Sequence, residues 1–316
     1  MEKGKLIEEI NRLKKERNAI ILAHYYTEPD VQDIADFVGD SLALSQVAAE
    51  NDADMIVFAG VNFMAETAKI LSPEKTVLLP DTEAGCSLAD SCRAEDLERF
   101  IEEHPGNVVI SYVNTFVDVK ALTDIACTSS NAVHIVNSVP KEQGIIFAPD
   151  RNLGSYIKNI TGRENMLIWD GACHVHDRFS LDGILKLKKQ HPNAKILTHP
   201  ESREDIIAIS DHVGSTSSIL NFARTDDARE FIIVTETGIL HALQTESPDK
   251  TFYPAPGNVS EEDTCYGRCN NCKYMKMVTL ENIYTALRDK KHEVYINEDL
   301  RRRAEGSIRR MLELSC

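Results

Sequence analysis

Cysteines that could bind a metal recur at corresponding places in three weakly similar thirds of the chain. In each third a short apolar run ends in a polar residue, a hydroxyl side chain follows at the same spacing every time, and a cysteine comes further on. The polar residues are His24, Tyr112 and His199, the hydroxyls are Ser41, Ser129 and Thr216, and the cysteines are Cys86, Cys173 and one of Cys265, Cys269 or Cys272. Three such units predict a pseudo-threefold molecule with a single central site.

Thiolates from three separate units favour an iron–sulfur cluster. A [4Fe–4S] cluster held by three thiolates leaves one iron without a protein ligand, and that iron could act as a Lewis acid on a hydroxyl or carboxylate. Four thiolates, or a mixture of cysteine and histidine, would instead close a zinc site, so a zinc-dependent lyase or hydrolase remains the alternative. Cys92, Cys127 and Cys316 are interpreted as ordinary small core residues.

Alternating apolar runs and helical segments predict an α/β fold, in which three similar αβα domains with parallel sheets surround the central iron–sulfur site. The predicted domains are residues 18–105, 106–191 and 192–316, with a helix in residues 1–17 packing on the third domain and a final helix over residues 293–315. Strands are predicted near residues 20–24, 36–39, 55–59, 76–79, 107–112, 123–126, 144–148, 165–169, 194–198, 210–213, 230–234 and 251–253.

The matched polar residues follow strand ends, where parallel α/β sheets bind ligands. Ser41, Ser129 and Thr216 also stand where a helix is predicted to begin, so each hydroxyl could simply cap that helix. The same position could bind a carboxylate or a phosphate. The constant spacing favours anion binding, because ordinary caps need not keep a fixed distance from a strand end.

Composition and charge restrict the possible partners. The chain has 316 residues, 42% of them hydrophobic, and a net charge of −15, which disfavours nucleic acid and an anionic membrane surface as partners. Its apolar runs stay shorter than the roughly 18–20 residues that span a bilayer. The charged N-terminal segment does not resemble a signal peptide, so a cytoplasmic location is expected.

A series of short motifs, in order along nearly the whole chain, resembles the quinolinate synthase family of iron–sulfur enzymes in NAD biosynthesis. The motifs are HYY at 24–26, GDSL at 39–42, AGCSLAD at 84–90, YVN at 112–114, CTSSNA at 127–132, PDRNLG at 149–154, CHVH at 173–176, HPE at 199–201, GSTS at 214–217, TETG at 235–238 and KYMKM at 273–277.

The resemblance implies that iminoaspartate and dihydroxyacetone phosphate, two small anions, condense to quinolinate with loss of phosphate and water. It implies one [4Fe–4S] cluster per chain, bound by Cys86, Cys173 and Cys272. It places the substrate against His24, Ser41, Tyr112, Val113, Asn114, Ser129, His176, His199, Pro200, Glu201 and Thr216. An aspartate oxidase or an aspartate dehydrogenase could supply the iminoaspartate.

The chemistry of condensation and dehydration requires a general acid or base. The expected catalytic residues are Glu201, Tyr26, His199 and Tyr112. The alternative for Glu201 is a stabilising charge at the start of the helix that follows it.

The third unit departs from the pattern because it has three cysteines. Cys272 is preferred as the ligand since the motif KYMKM follows it directly, and Cys265 and Cys269 could form a reversible disulfide or be neighbours without a role. A non-catalytic iron–sulfur sensor is the remaining rival, although a sensor has no need for the polar residues at three strand ends.

Overall fold

The computed structural model describes residues 2–258 and 270–315, and these form three four-stranded parallel sheets. The strands are β1 (Ala19–His24), β2 (Phe37–Gly39), β3 (Met55–Ala59), β4 (Thr76–Leu78), β5 (Val108–Tyr112), β6 (Ile125–Cys127), β7 (Ile145–Ala148), β8 (Met166–Ile168), β9 (Lys195–Thr198), β10 (His212–Val213), β11 (Glu230–Val234) and β12 (Thr251–Pro254). The sheet orders are β2-β1-β3-β4, β6-β5-β7-β8 and β10-β9-β11-β12. The same order in all three sheets confirms the predicted α/β fold with three similar units. Cys265, Cys269 and Cys316 lie outside the described residues.

Helices cover both faces of each sheet, so most strand residues are buried. The strands are therefore nearly continuous apolar runs. The helices are α1 (Lys3–Arg17), α2 (Pro29–Ile34), α3 (Ser41–Glu50), α4 (Asn62–Leu71), α5 (Ser87–Asp90), α6 (Ala94–Glu103), α7 (Val117–Lys120), α8 (Ala132–Ser138), α9 (Arg151–Thr161), α10 (Leu181–Gln190), α11 (Glu204–Ile207), α12 (Thr216–Thr225), α13 (Ile239–Glu246), α14 (Leu280–Asp289) and α15 (Glu298–Glu313). In the described residues, no helix combines the length and the apolar character needed to cross a membrane.

The register of the strands explains a constant spacing in the sequence. This spacing separates the polar residue at the end of each unit's first strand from the hydroxyl residue that follows it. The first two strands of each sheet pair in the same register, which places His24 beside Gly39, Tyr112 beside Cys127, and Thr198 beside Val213. In the first two units the residue opposite the polar strand end is therefore followed, two positions later, by the hydroxyl residue. In the third unit the same offset holds one position further along, from His199 and Gly214. The sheet thus brings the polar strand end and the hydroxyl to the same edge.

One apolar core joins the three sheets. It contains Leu22 of β1, Ile110 of β5 and Leu197 of β9, all fully buried. Smaller apolar clusters cover the opposite faces, and the one behind the first sheet includes residues of α1 and α14. The N-terminal helix α1 therefore packs on both β1 and α14. The domain limits near residues 105 and 191 stay a prediction.

The last helix is shorter than the sequence predicted. It begins at Glu298, because the side chain of Asn297 accepts hydrogen bonds from the N–H groups of Asp299 and Leu300 and so caps it. The preceding segment is extended along the edge of the first sheet, where the Val294 N–H donates to the Val77 carbonyl at 2.8 Å. This backbone pairing prevents helix formation over residues 293–297. α15 then packs on β6, α7 and α4, across the first two units.

Candidate functional site

A cavity lies where the carboxyl ends of the strands of all three sheets meet. Its walls are His24, Tyr26, Asp40, Ser41, Val61, Phe63, Gly85, Cys86, Tyr112, Asn114, Thr128, Ser129, Cys173, Val175, His176, His199, Glu201, Thr216, Glu236, Cys272 and Met275. The cavity thus brings together most of the residues singled out in the sequence. Val113 and Pro200 are buried beside lining residues, and Val113 contributes to a separate small pocket instead.

Each unit builds its part of the wall with a similar turn after its first strand. The turns cover residues 24–27, 112–115 and 199–202. In each turn the fourth residue, which is Thr27, Thr115 or Ser202, donates a hydrogen bond to the backbone carbonyl of the first residue. The third residue of each turn, which is Tyr26, Asn114 or Glu201, lines the cavity. Equivalent positions in the three units therefore carry a phenol, an amide and a carboxylate.

The hydroxyls of Ser41, Ser129 and Thr216 do not cap helices. In the first and third units the residue before the hydroxyl caps the helix: Asp40 accepts from the Ala43 N–H, and Ser215 accepts from the Ser218 N–H. In the second unit α8 begins only at Ala132, and its N-cap residue is Asn131. The capping interpretation of the three hydroxyls is therefore wrong. They line the cavity, where Ser129 lies 3.2 Å from His199 Nε2 and Thr216 lies 2.9 Å from the Tyr26 hydroxyl.

The adjacent residues Ser215 and Thr216 allow the two roles to be separated by experiment. We expect Ser215→Ala to lower stability by about 1 kcal/mol through loss of the cap, with little change in substrate affinity. Thr216→Ala should weaken substrate binding and change the melting temperature less, and Ser129→Ala should behave in the same way. Thermal melts and substrate titrations of the variants measure this. A lower melting point with unchanged titration curves for Thr216→Ala would argue against a binding role.

A chain of short contacts connects two of the expected catalytic residues. The Tyr26 hydroxyl lies 2.6 Å from Thr235 Oγ1, which lies 2.8 Å from His176 Nε2. On its other side, His176 Nδ1 lies 2.9 Å from Glu201 Oε2. Thr235 was not singled out as a site residue in the sequence. Its only signal was its place in the motif TETG, directly after β11.

Burial affects the protonation states of the side chains that line the cavity. Burial lowers the pKa of His24 to about 4 and the pKa of His199 to about 3, so both imidazoles are neutral near pH 7. Burial also raises the pKa of Tyr112 far above its usual value, and the nearby Glu201 carboxylate adds to this. Burial opposes ionisation of Glu201, but His176, His199 and the Tyr112 hydroxyl outweigh it and lower the pKa of that carboxyl. Glu201 is therefore a carboxylate beside the neutral imidazoles of His24 and His199 and the neutral Tyr112 phenol.

The three cysteines occupy corresponding positions in the three units. The backbone N–H three residues further on, which belongs to Ala89, His176 or Met275, acts to lower the pKa of each thiol. Burial of the sulfur nevertheless raises the pKa of Cys86 to about 12 and the pKa of Cys272 to about 11. A bound metal cation would reverse this preference, because coordination deprotonates a thiol.

A repeated backbone hydrogen bond fixes each cysteine loop to its own sheet. In each unit, the backbone N–H of the residue three positions after the third strand donates to a backbone carbonyl. That carbonyl belongs to the residue two positions before the cysteine. The pairs are Asn62 with Ala84 at 2.8 Å, Arg151 with Gly171 at 2.8 Å, and Thr237 with Asn270 at 3.3 Å. In the third unit Cys272 occupies the position that corresponds to Cys86 and Cys173.

Two buried carboxylates also hold cysteine loops, and sequence reasoning did not identify either of them. Asp150 accepts the Cys173 N–H at 3.2 Å, and Glu236 accepts the Cys272 N–H at 3.1 Å. Both carboxylates stand two residues after the third strand of their sheet. Lys276 lies 3.1 Å from Glu236 and compensates its charge. These loops are therefore held in place by carboxylates of their own units.

The cavity offers two different sets of metal ligands. Within the described ranges, the donor atoms of Cys173, His176 and Glu201 all lie within 4.8 Å of one another, close enough for a single ion. Cys86 and Cys272 are not in this compact group, although they line the same cavity.

Comparison with known proteins gives a family match over nearly the whole chain. The family model described as "Quinolinate synthetase A protein" matches residues 8–313. A protein named quinolinate synthase from Chloroherpeton thalassium is 53% identical over 310 residues, which cover 98% of this chain and 94% of that protein. Another of the same name from Microcystis aeruginosa is 54% identical over 306 residues, covering 97% and 94%. A solved diphosphate reductase from Plasmodium falciparum aligns over 91% of this chain with a TM-score of only 0.35.

Proposed function

Because the chain belongs to the quinolinate synthetase A family, we propose that it acts as a quinolinate synthase in NAD biosynthesis. In this proposal it condenses iminoaspartate with dihydroxyacetone phosphate to give quinolinate, phosphate and water. The observation that carries the proposal is one cavity lined by a thiol from each unit together with a buried carboxylate and neutral hydrogen-bond donors.

The residues present fit a [4Fe–4S] cluster bound by Cys86, Cys173 and Cys272. Each of these cysteines is a free thiol, and neighbouring backbone N–H groups partly offset the rise in its pKa that burial causes, which favours the thiolate that binds a metal. When bound, such a cluster would supply a Lewis acid that assists loss of water. Asn114 Oδ1 is buried without a hydrogen-bond partner and belongs to a residue that lines the cavity. An unpaired amide oxygen of this kind supports a ligand bound beside it.

The protein groups would bind and orient the two anions. α3 and α12 both begin at the cavity wall, with Ser41 and Thr216 as their first residues, so their N-termini can attract carboxylate or phosphate groups. Neutral imidazoles of His24 and His199 add hydrogen bonds without a large basic patch. This matters because the whole chain carries a net charge of −15, which would otherwise repel anionic substrates.

Glu201 would move protons during enolisation and dehydration. Its side chain is buried, lies 2.9 Å from His176 Nδ1, and interacts with the Tyr112 hydroxyl. It can therefore accept a proton from a substrate carbon and return it to a leaving hydroxyl. The contacts through His176 and Thr235 to the Tyr26 hydroxyl give a route for that proton away from the carboxylate.

Iminoaspartate is an unstable imine, so an enzyme that oxidises aspartate must supply it. We propose a functional link to an aspartate oxidase or an aspartate dehydrogenase. Delivery over a short distance would limit hydrolysis of the imine in water.

Anaerobic reconstitution with iron and sulfide, followed by product analysis, tests the proposed function. With iminoaspartate generated in the same vessel and dihydroxyacetone phosphate added, we expect quinolinate and phosphate to form in equal amounts. The same protein without iron and sulfide is the control. A fully reconstituted protein that yields no quinolinate would contradict the synthase proposal, and equal yields without iron would contradict the role of the cluster.

A further inference from the structure

Three donor atoms of different chemistry meet on one side of the cavity, although only one of them belongs to the three-thiol set. The Cys173 sulfur lies 3.3 Å from His176 Nδ1, and the same nitrogen lies 2.9 Å from Glu201 Oε2. Thiolate, imidazole and carboxylate are the ligands that zinc takes in proteins, and three of them leave a fourth, open position.

We propose that the cluster-free protein binds one divalent ion, zinc or an ion with similar preferences, through Cys173, His176 and Glu201, and that this ion prevents cluster assembly. Binding of the ion rests on these three side chains alone, whereas the prevention of cluster assembly rests on the proposed function. Cys173 cannot be a ligand of the single ion and of the cluster at once. Binding of the ion would also occupy the carboxylate proposed to move protons.

The dimensions of the group suit such an ion. Zinc binds sulfur at about 2.3 Å and nitrogen or oxygen at about 2.0–2.2 Å, so tetrahedral geometry separates neighbouring donors by roughly 3.3–3.7 Å. The sulfur-to-nitrogen distance of 3.3 Å already fits, and the nitrogen-to-oxygen distance of 2.9 Å has to widen slightly. All donor atoms of the group lie within 4.8 Å of one another, so rotation of the side chains can complete the geometry.

The surroundings of the three ligands hold them in this orientation. Thr235 Oγ1 lies 2.8 Å from His176 Nε2, so the second ring nitrogen has the hydrogen-bond partner that metal-binding histidines usually have. Asp150 accepts the Cys173 N–H, and the Asn152 side chain donates to the Glu201 carbonyl at 3.0 Å. The ligands thus come from two units but share one network.

Charge and protons balance without any further reactant. The ion adds two positive charges, Glu201 contributes one negative charge, and Cys173 contributes another after its thiol proton passes to the solvent. His176 stays neutral and carries its proton on Nε2, where Thr235 can accept it. The occupied site is therefore neutral, which suits its burial. Assembly of a cluster needs iron and sulfide, whereas this state needs only the ion.

The experiment uses the full chain, freed of iron and kept anaerobic, with cobalt(II) as a coloured probe and zinc as its competitor. We expect one ion per chain in the wild type, with a sulfur-to-cobalt absorption band. Cys86→Ala and Cys272→Ala should keep this binding, because neither residue belongs to the group. Cys173→Ser and Glu201→Gln should weaken it roughly 100-fold or more, since a ligand contributes at least as much as its outer partners. Circular dichroism and melting curves verify that each variant is folded.

A second measurement tests competition. Protein preloaded with one equivalent of zinc should take up iron and sulfide at least about tenfold more slowly than untreated protein, and a chelator should restore the rate. Loss of cobalt binding in Cys86→Ala and Cys272→Ala, with full binding in Glu201→Gln, would overturn the inference and leave the three-thiol site of the proposed function intact. Cluster assembly at an unchanged rate in zinc-loaded protein would overturn the proposed exclusion. Cobalt binding as expected in a protein that never assembles a cluster would leave the single-ion site standing and contradict the proposed cluster instead.

Discussion

Replacing Cys86, Cys173 or Cys272 with alanine, one at a time, should leave the reconstituted protein without an iron–sulfur cluster. Each sulfur comes from a different unit. Loss of one sulfur therefore removes the only proposed cluster ligand that its unit provides. With only two thiolates, a second iron of the cluster would lack a protein ligand. Iron and sulfide analysis with absorbance spectra measures the effect, and quinolinate formation should fall to background.

Two other cysteines provide matched controls for this experiment. Cys92 and Cys127 are fully buried in apolar clusters, and neither lines the cavity. Alanine at either position should lower stability through a small cavity and leave the iron content near that of the wild type. If Cys272→Ala keeps a full cluster while Cys265→Ala or Cys269→Ala loses it, the assignment of the third ligand is wrong.

Glu201→Gln should keep the cluster and lose most of the turnover. The substitution preserves the size of the side chain and its ability to accept a hydrogen bond, but it removes the group that accepts a proton. We expect kcat to fall by roughly two orders of magnitude or more, with a smaller change in KM. Steady-state kinetics on protein with equal iron content is the required measurement.

The matched control is Glu204→Gln, because Glu204 is the first residue of α11 and is exposed. If the charge at Glu201 served only to stabilise the start of this helix, both substitutions would lower the melting temperature by similar amounts and leave kcat near normal. The structure favours the catalytic role, since the Glu201 side chain is only 2% exposed and its carboxylate contacts His176. Equal and near-normal rates for both variants would refute that role.

Much of the fold could be predicted because the units repeat. Continuous apolar runs such as Ile56 to Phe58 mark buried parallel strands, and the constant spacing between polar strand end and hydroxyl reflects the common register of the first two strands. The site residues carried by these repeats, such as Tyr112 and Thr216, lie where the sequence indicated. The family, too, could be recognised from its ordered motifs.

The remaining features depend on contacts between distant segments, which no local pattern reveals. Asp150 and Glu236 act on the backbone of cysteine loops that lie well beyond their own sequence neighbourhood. Thr235 gains its significance only when the third unit meets Tyr26 of the first. The last helix begins later than its sequence pattern indicates, because pairing of Val294 with the edge of the first sheet competes with helix formation.

The division of one cavity among three sheets has a thermodynamic consequence. A ligand that touches all three units can bind only when they are docked, so its binding free energy adds to the stability of their interfaces. Substitutions at those interfaces should therefore weaken binding without touching the ligand. Gly238 is such a position, because a Cβ atom there would lie 2.7 Å from the Tyr26 backbone, so one of these two segments would have to shift. The affinity of the protein for such a ligand and the stability of the interfaces between its three units are therefore thermodynamically linked.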